Sequence, residues 1–303
     1  VPAASVFVAK RSRPLQGLSE MTKGSQPTDG GHLLLSKMEL NELGLTEQQH
    51  KKFVRKIYGS AEFIRGLDRY CLWISDADAN EASLIASISD RIEAVKRMRL
   101  NSPKAATISM ANFPYKFGEM RQKGSEVVMA IPKVSSESRD YLPVGILPRT
   151  TIITDLLFAA FDAPLWNMAI VASRIHLVWI ATVCGKMKTD FRYSNTIGWN
   201  TFPAPLLTEQ NKVDLTNCAE NILLAREAHF PATIADLYNP LNMPENLRHA
   251  HERNDEVLER IYIGRRFKND TERLEKLFEL YTKMTAAAKT KLAAKAIRGK
   301  NAS

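Results

Sequence analysis

Residues 185–205 read Gly185-Lys-Met-Lys-Thr-Asp-Phe-Arg-Tyr-Ser-Asn-Thr-Ile-Gly-Trp-Asn-Thr-Phe-Pro-Ala-Pro205, a stretch in which cations, aromatic rings and small polar residues meet without a helical or strand period. A long apolar run precedes it and a regular amphipathic pattern follows it. We therefore predict a surface loop held between two rigid elements. Loops positioned in this way often carry binding residues.

The composition is that of an ordinary globular protein. With 303 residues, 45% of them hydrophobic and 25% charged, the chain can bury a core and has room for two domains. Three widely spaced cysteines, Cys71, Cys184 and Cys218, are too few for a disulfide framework, and we interpret them as buried apolar residues in a reducing compartment. No signal peptide or membrane span is evident, so we expect a cytoplasmic protein without membrane contact.

The net charge of +9 is concentrated at the two ends of the chain. Residues 264–303 carry +7 and residues 1–23 carry +3, which leaves −1 for residues 24–263. The Ala/Lys-rich end, Lys283 to Lys300, contains no acid and fits either a solvated helix or a phosphate-binding tail. Composition alone leaves both open.

The first 205 residues mix strand and helix signals. After an extended entry segment of 31 residues, Ser36 and Glu39 have the spacing of a capping box that starts a helix at Lys37. The remaining predictions follow in chain order: a helix from Thr46 to Tyr58, a strand over Arg69–Ile74, a helix ending near Ser102 with Arg91, Lys96, Arg97 and Arg99 on its outer face, strands over Val127–Ile131 and Gly145–Thr154, and a buried helix from Phe158 to Val183.

After Pro205 the pattern becomes helical only. Apolar stripes predict three helices, marked by Leu215 to Ala225, Leu247 to Ile261, and Leu274 to Tyr281. We therefore predict an α+β fold with a mixed-sheet domain over residues 1–205 and a small helical domain over residues 206–303.

Signatures of catalysis are missing from the sequence. It has no glycine-rich phosphate loop, Cys-x-x-Cys pair or His-Glu-x-x-His motif, and His249 and His251 fall on different sides of a helix. Ser135 and Ser136 lack a nucleophile elbow and an assignable base. We expect no catalytic residue, no metal and no cofactor in this chain.

Two polar loops offer chemistry that suits DNA. In the first, Lys186, Lys188 and Arg192 can neutralise phosphates, while Arg192, Asn195 and Asn200 also present paired donors that match base edges. Three of its aromatic residues, Phe191, Tyr193 and Trp199, could stack on bases or pack beneath the loop.

The second loop spans residues 132–143. There Glu137 can accept from cytosine and Arg139 can donate twice to guanine, or the two can pair with each other or cap a turn. The predicted phosphate contacts are, from the loop and the basic helix faces, Lys51, Lys52, Lys96, Arg97 and Lys186.

Several blocks occur together and in order: Asp29-Gly-Gly-His-Leu-Leu-Leu-Ser36, Lys51 to Ile64, Arg69-Tyr-Cys-Leu-Trp-Ile74, Val134 to Pro143, Gly185 to Pro205 and Ala235-Asp-Leu-Tyr238. Together they resemble the C-terminal part of MmeI-like DNA methyltransferases, which fuse nuclease, adenine methyltransferase and target-recognition regions. The resemblance covers nearly the whole chain. It implies a target-recognition domain followed by a small helical domain, with double-stranded DNA and the methyltransferase core of the parent chain as partners.

The resemblance also sets expectations for chemistry. The motifs that bind S-adenosylmethionine and the nuclease signature belong upstream in such enzymes, so we expect a fragment that neither methylates nor cuts DNA alone. By analogy, base recognition falls to loop residues, namely Glu137, Arg139, Lys188, Asp190, Arg192 and Asn195.

A protein-interaction module is the alternative hypothesis. Residues 206–303 would then dock on a methyltransferase core or partner subunit through the stripe of Leu274, Leu277, Phe278 and Tyr281. Strongly salt-dependent binding to random duplex DNA would favour the DNA hypothesis.

Overall fold

A computed structural model describes the backbone of residues 6–300 and the side chains of residues 6–286, Met187 excepted. The helices in the described part are α1 (Lys37–Glu42), α2 (Glu47–Phe53), α3 (Ser60–Arg65), α4 (Ala79–Ser83), α5 (Ala86–Leu100), α6 (Ala105–Ser109), α7 (Trp166–Val171), α8 (Arg174–Val183), α9 (Glu209–Glu227), α10 (Ile234–Leu237), α11 (Glu245–Ile263) and α12 (Asp270–Lys300). Short helical turns also occur at Asp76–Asp78, Met110–Asn112 and Asn195–Trp199.

The strands form three sheets. In chain order they are β1 (Thr22–Lys23), β2 (Leu34–Leu35), β3 (Val54–Tyr58), β4 (Tyr70–Leu72), β5 (Val128–Pro132), β6 (Val134–Ser135), β7 (Gly145–Leu147), β8 (Thr151–Ile153), β9 (Leu157–Phe161), β10 (Lys186–Met187) and β11 (Asp190–Arg192). The N-terminal sheet has the order β2-β4-β3-β8, the central sheet β1-β9-β5-β7 and the small sheet β10-β11-β6. Only the pairing of β3 with β8 is parallel among these described strands, so the predicted mixed-sheet α+β class is confirmed.

The capping box predicted at the start of α1 is present. The Glu39 N–H donates to Ser36 Oγ over 3.2 Å, and the Ser36 N–H donates to Glu39 Oε2 over 2.8 Å. These bonds satisfy backbone donors that the first turn of a helix leaves unpaired.

The helix predicted from Thr46 to Tyr58 is wrong in its second half. It ends at Phe53, and Val54–Tyr58 forms β3, which lies between β4 and β8. Val54 and Ile57 are buried there. Their spacing also fits a helical face, but pairing on both edges of β3 decides the conformation because strand formation depends strongly on tertiary context.

The buried helix predicted from Phe158 to Val183 is likewise wrong at its start. Leu157–Phe161 is β9, paired with β1 and β5 in the central sheet. Two helices, α7 and α8, follow and are separated at Ser173, whose side chain caps α8 by accepting from the His176 N–H. The apolar composition fits a strand followed by two buried helices as well as it fits one long helix. Ser173, a residue type that commonly caps helix N-termini, was the signal for a new helix start.

Arg99 does not lie on the outer face of α5 as predicted. It is 1% exposed, and its guanidinium donates to five backbone carbonyls, those of Pro27, Thr28, Met110, Phe113 and Lys116. Arg91 is half-buried and donates to the His32 carbonyl and to Glu39. These two arginines therefore fasten α5 to neighbouring loops, whereas Lys96 and Arg97 remain exposed.

One hydrophobic core continues across position 206. Ile170 and Trp179, from α7 and α8, are fully buried together with Leu215, Leu258 and Leu277 from α9, α11 and α12. Polar contacts cross the same boundary, because Asp255 accepts from the Tyr141 hydroxyl and the Arg174 N–H. The helices after residue 206 thus pack directly against the helices that precede residue 185.

The apolar stripe on α12 belongs to this core. Leu277 and Tyr281 are buried, and the rings of Phe278 and Tyr281 lie 5.3 and 5.8 Å from the ring of Trp179. The stripe is therefore used inside the chain. The α12 backbone is helical to Lys300, but the basic side chains from residue 287 onward lie outside the described residues, so neither interpretation of that tail is decided.

Candidate functional site

The small sheet brings the two predicted loops together. Strand β6 belongs to the loop over residues 132–143, and β10 and β11 belong to the loop over residues 185–205. Phe191 pairs with Ser135 and Arg192 with Val134 in antiparallel register. The sequence predicted base-recognition residues in both loops, and backbone pairing connects the two loops rigidly.

An ion pair also crosses between the loops. Lys186 Nζ lies 3.0 Å from Glu137 Oε2, and both side chains are about half exposed. Arg139 Nη1 contacts Ser135 Oγ at 3.4 Å. Burial lowers the pKa of Arg139, and the nearby Asp190 carboxylate opposes that change. Glu137 and Arg139 are therefore engaged with other residues of the small sheet rather than paired with each other.

Lys188 occupies the tip of the hairpin that joins β10 to β11. Met187 pairs with Asp190, so the connection has two residues, Lys188 and Thr189. The φ angle of Lys188 is +57°, in the left-handed region that residues other than glycine, asparagine and aspartate rarely adopt. Its exposed side chain therefore projects from a tight turn.

Arg192 closes β11 and is exposed. Its backbone N–H donates to the Gly185 carbonyl over 3.0 Å, which fixes its position at the edge of the sheet. Within the described residues, its guanidinium makes no ion pair. Arg192 therefore offers free paired donors on a fixed backbone.

The end of residues 185–205 is not the exposed loop that the sequence predicted. Asn195–Trp199 forms a π-helical turn, and Trp199, Asn200 and Phe202 are buried. The amide of Asn195 donates to the Met21 carbonyl, and that of Asn200 donates to the Arg11 carbonyl. Asn200 is thus unavailable to base edges, and Asn195 holds the entry segment with one of its donors.

Two of the three aromatic residues considered for base stacking pack inside the protein. Tyr193 is 4% exposed and Trp199 is fully buried, with its indole N–H donating to the Ser19 carbonyl. Phe191 is half-buried, with Lys186 Nζ 5.8 Å from its ring centre. Packing beneath the surface is therefore confirmed for Tyr193 and Trp199.

His176 is a residue of this region that sequence reasoning missed. It lies on α8, fully buried, with Nε2 3.0 Å from the Tyr193 hydroxyl and the Phe202 ring packed edge-on at 4.7 Å. Burial lowers its pKa to about 3, so the ring is neutral at physiological pH. Its position in an apolar run was the available signal. The contact anchors the residue that directly follows Arg192.

The predicted phosphate-binding residues differ in how free they are. Lys52 contacts Asp78 at 2.9 Å and Glu81 at 2.6 Å, and Lys186 is paired with Glu137. Lys96 lies 3.9 Å from Glu93. Lys51 and Arg97 are exposed, and neither forms an ion pair within the part of the chain described. Lys51 and Arg97 are accordingly the better placed of the five for a new anion.

Other candidate chemistry finds little support in the described residues. No group of three or more His, Cys, Asp or Glu side chains there could hold a metal. All three cysteines are free and buried. Ser135 is buried against Arg139, and Ser136 contacts Ser138. Within the same residues, no helix combines the length and apolar character that crossing a membrane requires.

Comparison with known proteins identifies relatives over nearly the whole length. DNA methyltransferase A of Bacillus subtilis (strain 168) is 36% identical over 281 residues, covering 93% of this chain and 32% of the relative. A solved structure of the Type IIL restriction-modification enzyme MmeI in complex with DNA superposes with a TM-score of 0.87 at 31% identity, covering 93% of this chain and 38% of that one. The chain thus spans about a third of the length of these relatives.

Two family models match consecutive parts of the chain. The model described as "MmeI, target recognition domain" matches residues 2–206, and the model described as "MmeI, C-terminal domain" matches residues 207–289. The order of the two models agrees with the position of the small sheet before residue 206 and of the three long helices after it. The chain therefore belongs to the MmeI family, as its target recognition domain followed by its C-terminal domain.

Proposed function

We propose that this chain reads the sequence of double-stranded DNA as the target-recognition region of a larger adenine-specific methyltransferase of a restriction-modification system. One observation carries the proposal. The pairing of β6 with β11 brings Glu137 and Arg139, which follow β6, close to the hairpin that carries Lys188, Asp190 and Arg192: Glu137 contacts Lys186, and Arg139 lies near Asp190. Membership of the MmeI family supports the same function.

The side chains of the small sheet match the chemistry of base edges. Arginine and lysine can each donate to O6 and N7 of guanine, whereas aspartate and glutamate accept from the N4 amino group of cytosine. Arg192 has free donors, and Arg139 lies near Asp190. We infer that Arg192 and Arg139 read purines and that Glu137 and Asp190 read an adjacent amino group or orient the arginines.

The other predicted sites take supporting roles in this proposal. Lys188 reaches a base from the hairpin tip, and Asn195 contributes through its remaining donor while it holds the entry segment. Lys51 and Arg97 contact phosphates, with smaller contributions from Lys52, Lys96 and Lys186 because each of these already has a carboxylate within 3.9 Å.

We further propose that the chain has no catalytic role of its own and that S-adenosylmethionine belongs to another part of the parent enzyme. The cofactor carries a sulfonium cation, and the groove of about 750 Å³ beside the small sheet is lined by Lys10, Lys133 and Arg192 without a carboxylate. The sulfonium cation would be repelled by these three positively charged side chains. The residues that line this groove therefore do not suit the cofactor.

The parent chain completes the function in this proposal. Its methyltransferase core, with a fused nuclease, would be the intramolecular partner of this region and would act in the cytoplasm. The relatives support this arrangement because this chain spans about a third of each. The interaction-module alternative loses its main support, since the stripe on α12 is used in the core of this chain.

Selection from a pool of randomised duplexes tests the proposal. The complete protein should enrich one defined motif from the pool at moderate salt. Binding that retains the composition of the starting pool would overturn sequence recognition. Failure to retain duplex DNA at any salt concentration would overturn DNA binding altogether.

A further inference from the structure

A groove of about 750 Å³ adjoins the small sheet, and none of the predicted phosphate contacts lines it. Its walls come from the entry segment, the bend between β5 and β6, and the end of β11, which contribute Lys10, Lys133 and Arg192 respectively. Arg192 therefore belongs both to the groove and to the small sheet. A ligand in the groove would lie directly beside the proposed base-reading residues.

The three cations of the groove lack carboxylate partners of the kind that Lys23 and Lys56 have. Within the described residues, Lys10, Lys133 and Arg192 make no ion pair. By contrast, Lys23 contacts Glu119 at 2.8 Å and Lys56 contacts Asp68 at 2.8 Å. The groove thus brings together three positively charged side chains that have no carboxylate in contact.

The charged form of Lys133 is disfavoured in the groove by burial and by neighbouring cations. The side chain is half-buried, with Nζ 5.0 Å from the centre of the Phe158 ring. Burial lowers the pKa of Lys133, and the charges of Lys23 and Arg192 lower it further, whereas Asp155 opposes them. An anion in the groove would offset both the lost hydration and the repulsion between cations.

The remainder of the lining suits a chain rather than an isolated ion. Apolar surface comes from Phe158 and neighbouring aliphatic side chains, and hydroxyl groups come from Ser60 and Ser194. A sugar–phosphate backbone presents alternating anionic and less polar groups along its length. Sugars can pack on the apolar floor while phosphates meet Lys10 and Lys133.

We propose that this groove holds the backbone of the DNA strand that passes the small sheet, with Lys10 and Lys133 each contacting a phosphate. The proposal rests on the proposed function and extends it. Phosphate contacts set the register of a protein on the duplex, and base contacts then specify sequence. Lys133 immediately precedes β6, so a phosphate held there would fix the register of Glu137 and Arg139.

The salt dependence of binding measures these contacts in the complete protein. Each lost phosphate contact should reduce the slope of log affinity against log salt by about 0.9 on B-form DNA. We expect Lys10→Gln and Lys133→Gln each to reduce the slope by that amount and the double variant to reduce it by about 1.8. The motif enriched from randomised duplexes should stay the same, because neither lysine reads a base.

Two control variants make the result specific. Lys133→Arg retains the charge and should retain the slope, whereas Lys23→Gln removes one charge close to the groove but not in its lining and should change the slope less. The groove proposal is overturned if the double variant keeps the parental slope, or if Lys23→Gln lowers it as much as Lys133→Gln. Either result can occur while motif selection by the parent protein remains intact, so the proposed function would survive it.

Discussion

Lys186 Nζ lies 3.0 Å from Glu137 Oε2, although the two residues are 49 positions apart in the chain. The pair sits where β11 is hydrogen-bonded to β6, so side chains from two segments share one surface. A surface built in this way can change its side chains while the paired backbone stays in place. That property suits a region whose task is to read sequence.

Glu137→Gln should change DNA recognition with little effect on stability. The Lys186–Glu137 pair is about half exposed, and exposed ion pairs contribute only about 0–1 kcal/mol. We expect the free energy of unfolding, measured by urea titration, to change by less than about 1 kcal/mol. Selection from randomised duplexes should show altered preference at one base pair. A stability loss well above that range, with an unchanged motif, would assign Glu137 a structural role.

Substitutions at Lys188 separate the shape of the hairpin from its charge. Lys188→Gly and Lys188→Ala both remove the ammonium group, but only glycine accepts a φ of +57° without a steric penalty. The glycine variant should be more stable than the alanine variant by about 1 kcal/mol. Both variants should lose the same DNA affinity, because both lack the ammonium group. If the glycine variant bound DNA normally and the alanine variant did not, DNA binding would require the shape of the turn and not the charge of Lys188.

Arg99→Met should destabilise the fold by about 3–5 kcal/mol in urea or thermal unfolding. The reason is that its buried guanidinium satisfies five backbone carbonyls, and methionine satisfies none of them. The matched control is Arg97→Met on the exposed face of the same helix, for which the change should stay within about 0.5 kcal/mol. Similar losses in both variants would contradict the anchoring role of Arg99.

Asp255 should make stability depend on pH. Burial raises its pKa to about 7 from an ordinary value of 3.8, against hydrogen bonds from the Arg174 N–H and the Tyr141 hydroxyl. The folded state therefore holds this proton more tightly than the unfolded state, and the stabilising contribution present below about pH 4 is lost as pH rises through about 7.

The measurement is the free energy of unfolding between pH 4 and pH 8 for the parent protein and for Asp255→Asn. The stability of the parent relative to the variant should fall by roughly 2–4 kcal/mol across that range. Glu252→Gln, an exposed change on the same helix, serves as the control and should leave the curve unchanged. A parallel pair of curves for the parent and Asp255→Asn would contradict the assigned shift.

The sequence was most informative where local chemistry decides local structure. The capping box at Ser36, the helices after residue 206 and the strand around Cys71 could all be predicted from spacing and residue type. The sequence placed base-recognition residues in both polar loops, but it did not predict that the two loops pair. Register between β6 and β11 is a long-range property, so no local pattern encodes it.

The errors have a common physical cause. Val54–Tyr58 and Leu157–Phe161 form strands because each is hydrogen-bonded to another strand along both edges. This pairing overrides a pattern that is also compatible with a helix. Arg99 and Asn200 were assigned to the surface because their side chains are polar. Both are buried because backbone carbonyls from distant segments accept their hydrogen bonds. Such partners cannot be recognised from neighbouring residues in the chain.

Arg192→Ala provides the most direct test that the small sheet reads bases. In the complete protein it should cost about 1–3 kcal/mol against the preferred duplex and relax the enriched motif at one base pair. Arg97→Ala, which removes an exposed cation from α5, should weaken binding evenly and leave the motif intact. An unchanged motif after joint alanine substitution of Glu137, Arg139, Lys188, Asp190 and Arg192, in a protein that still folds and binds DNA, would contradict the assignment.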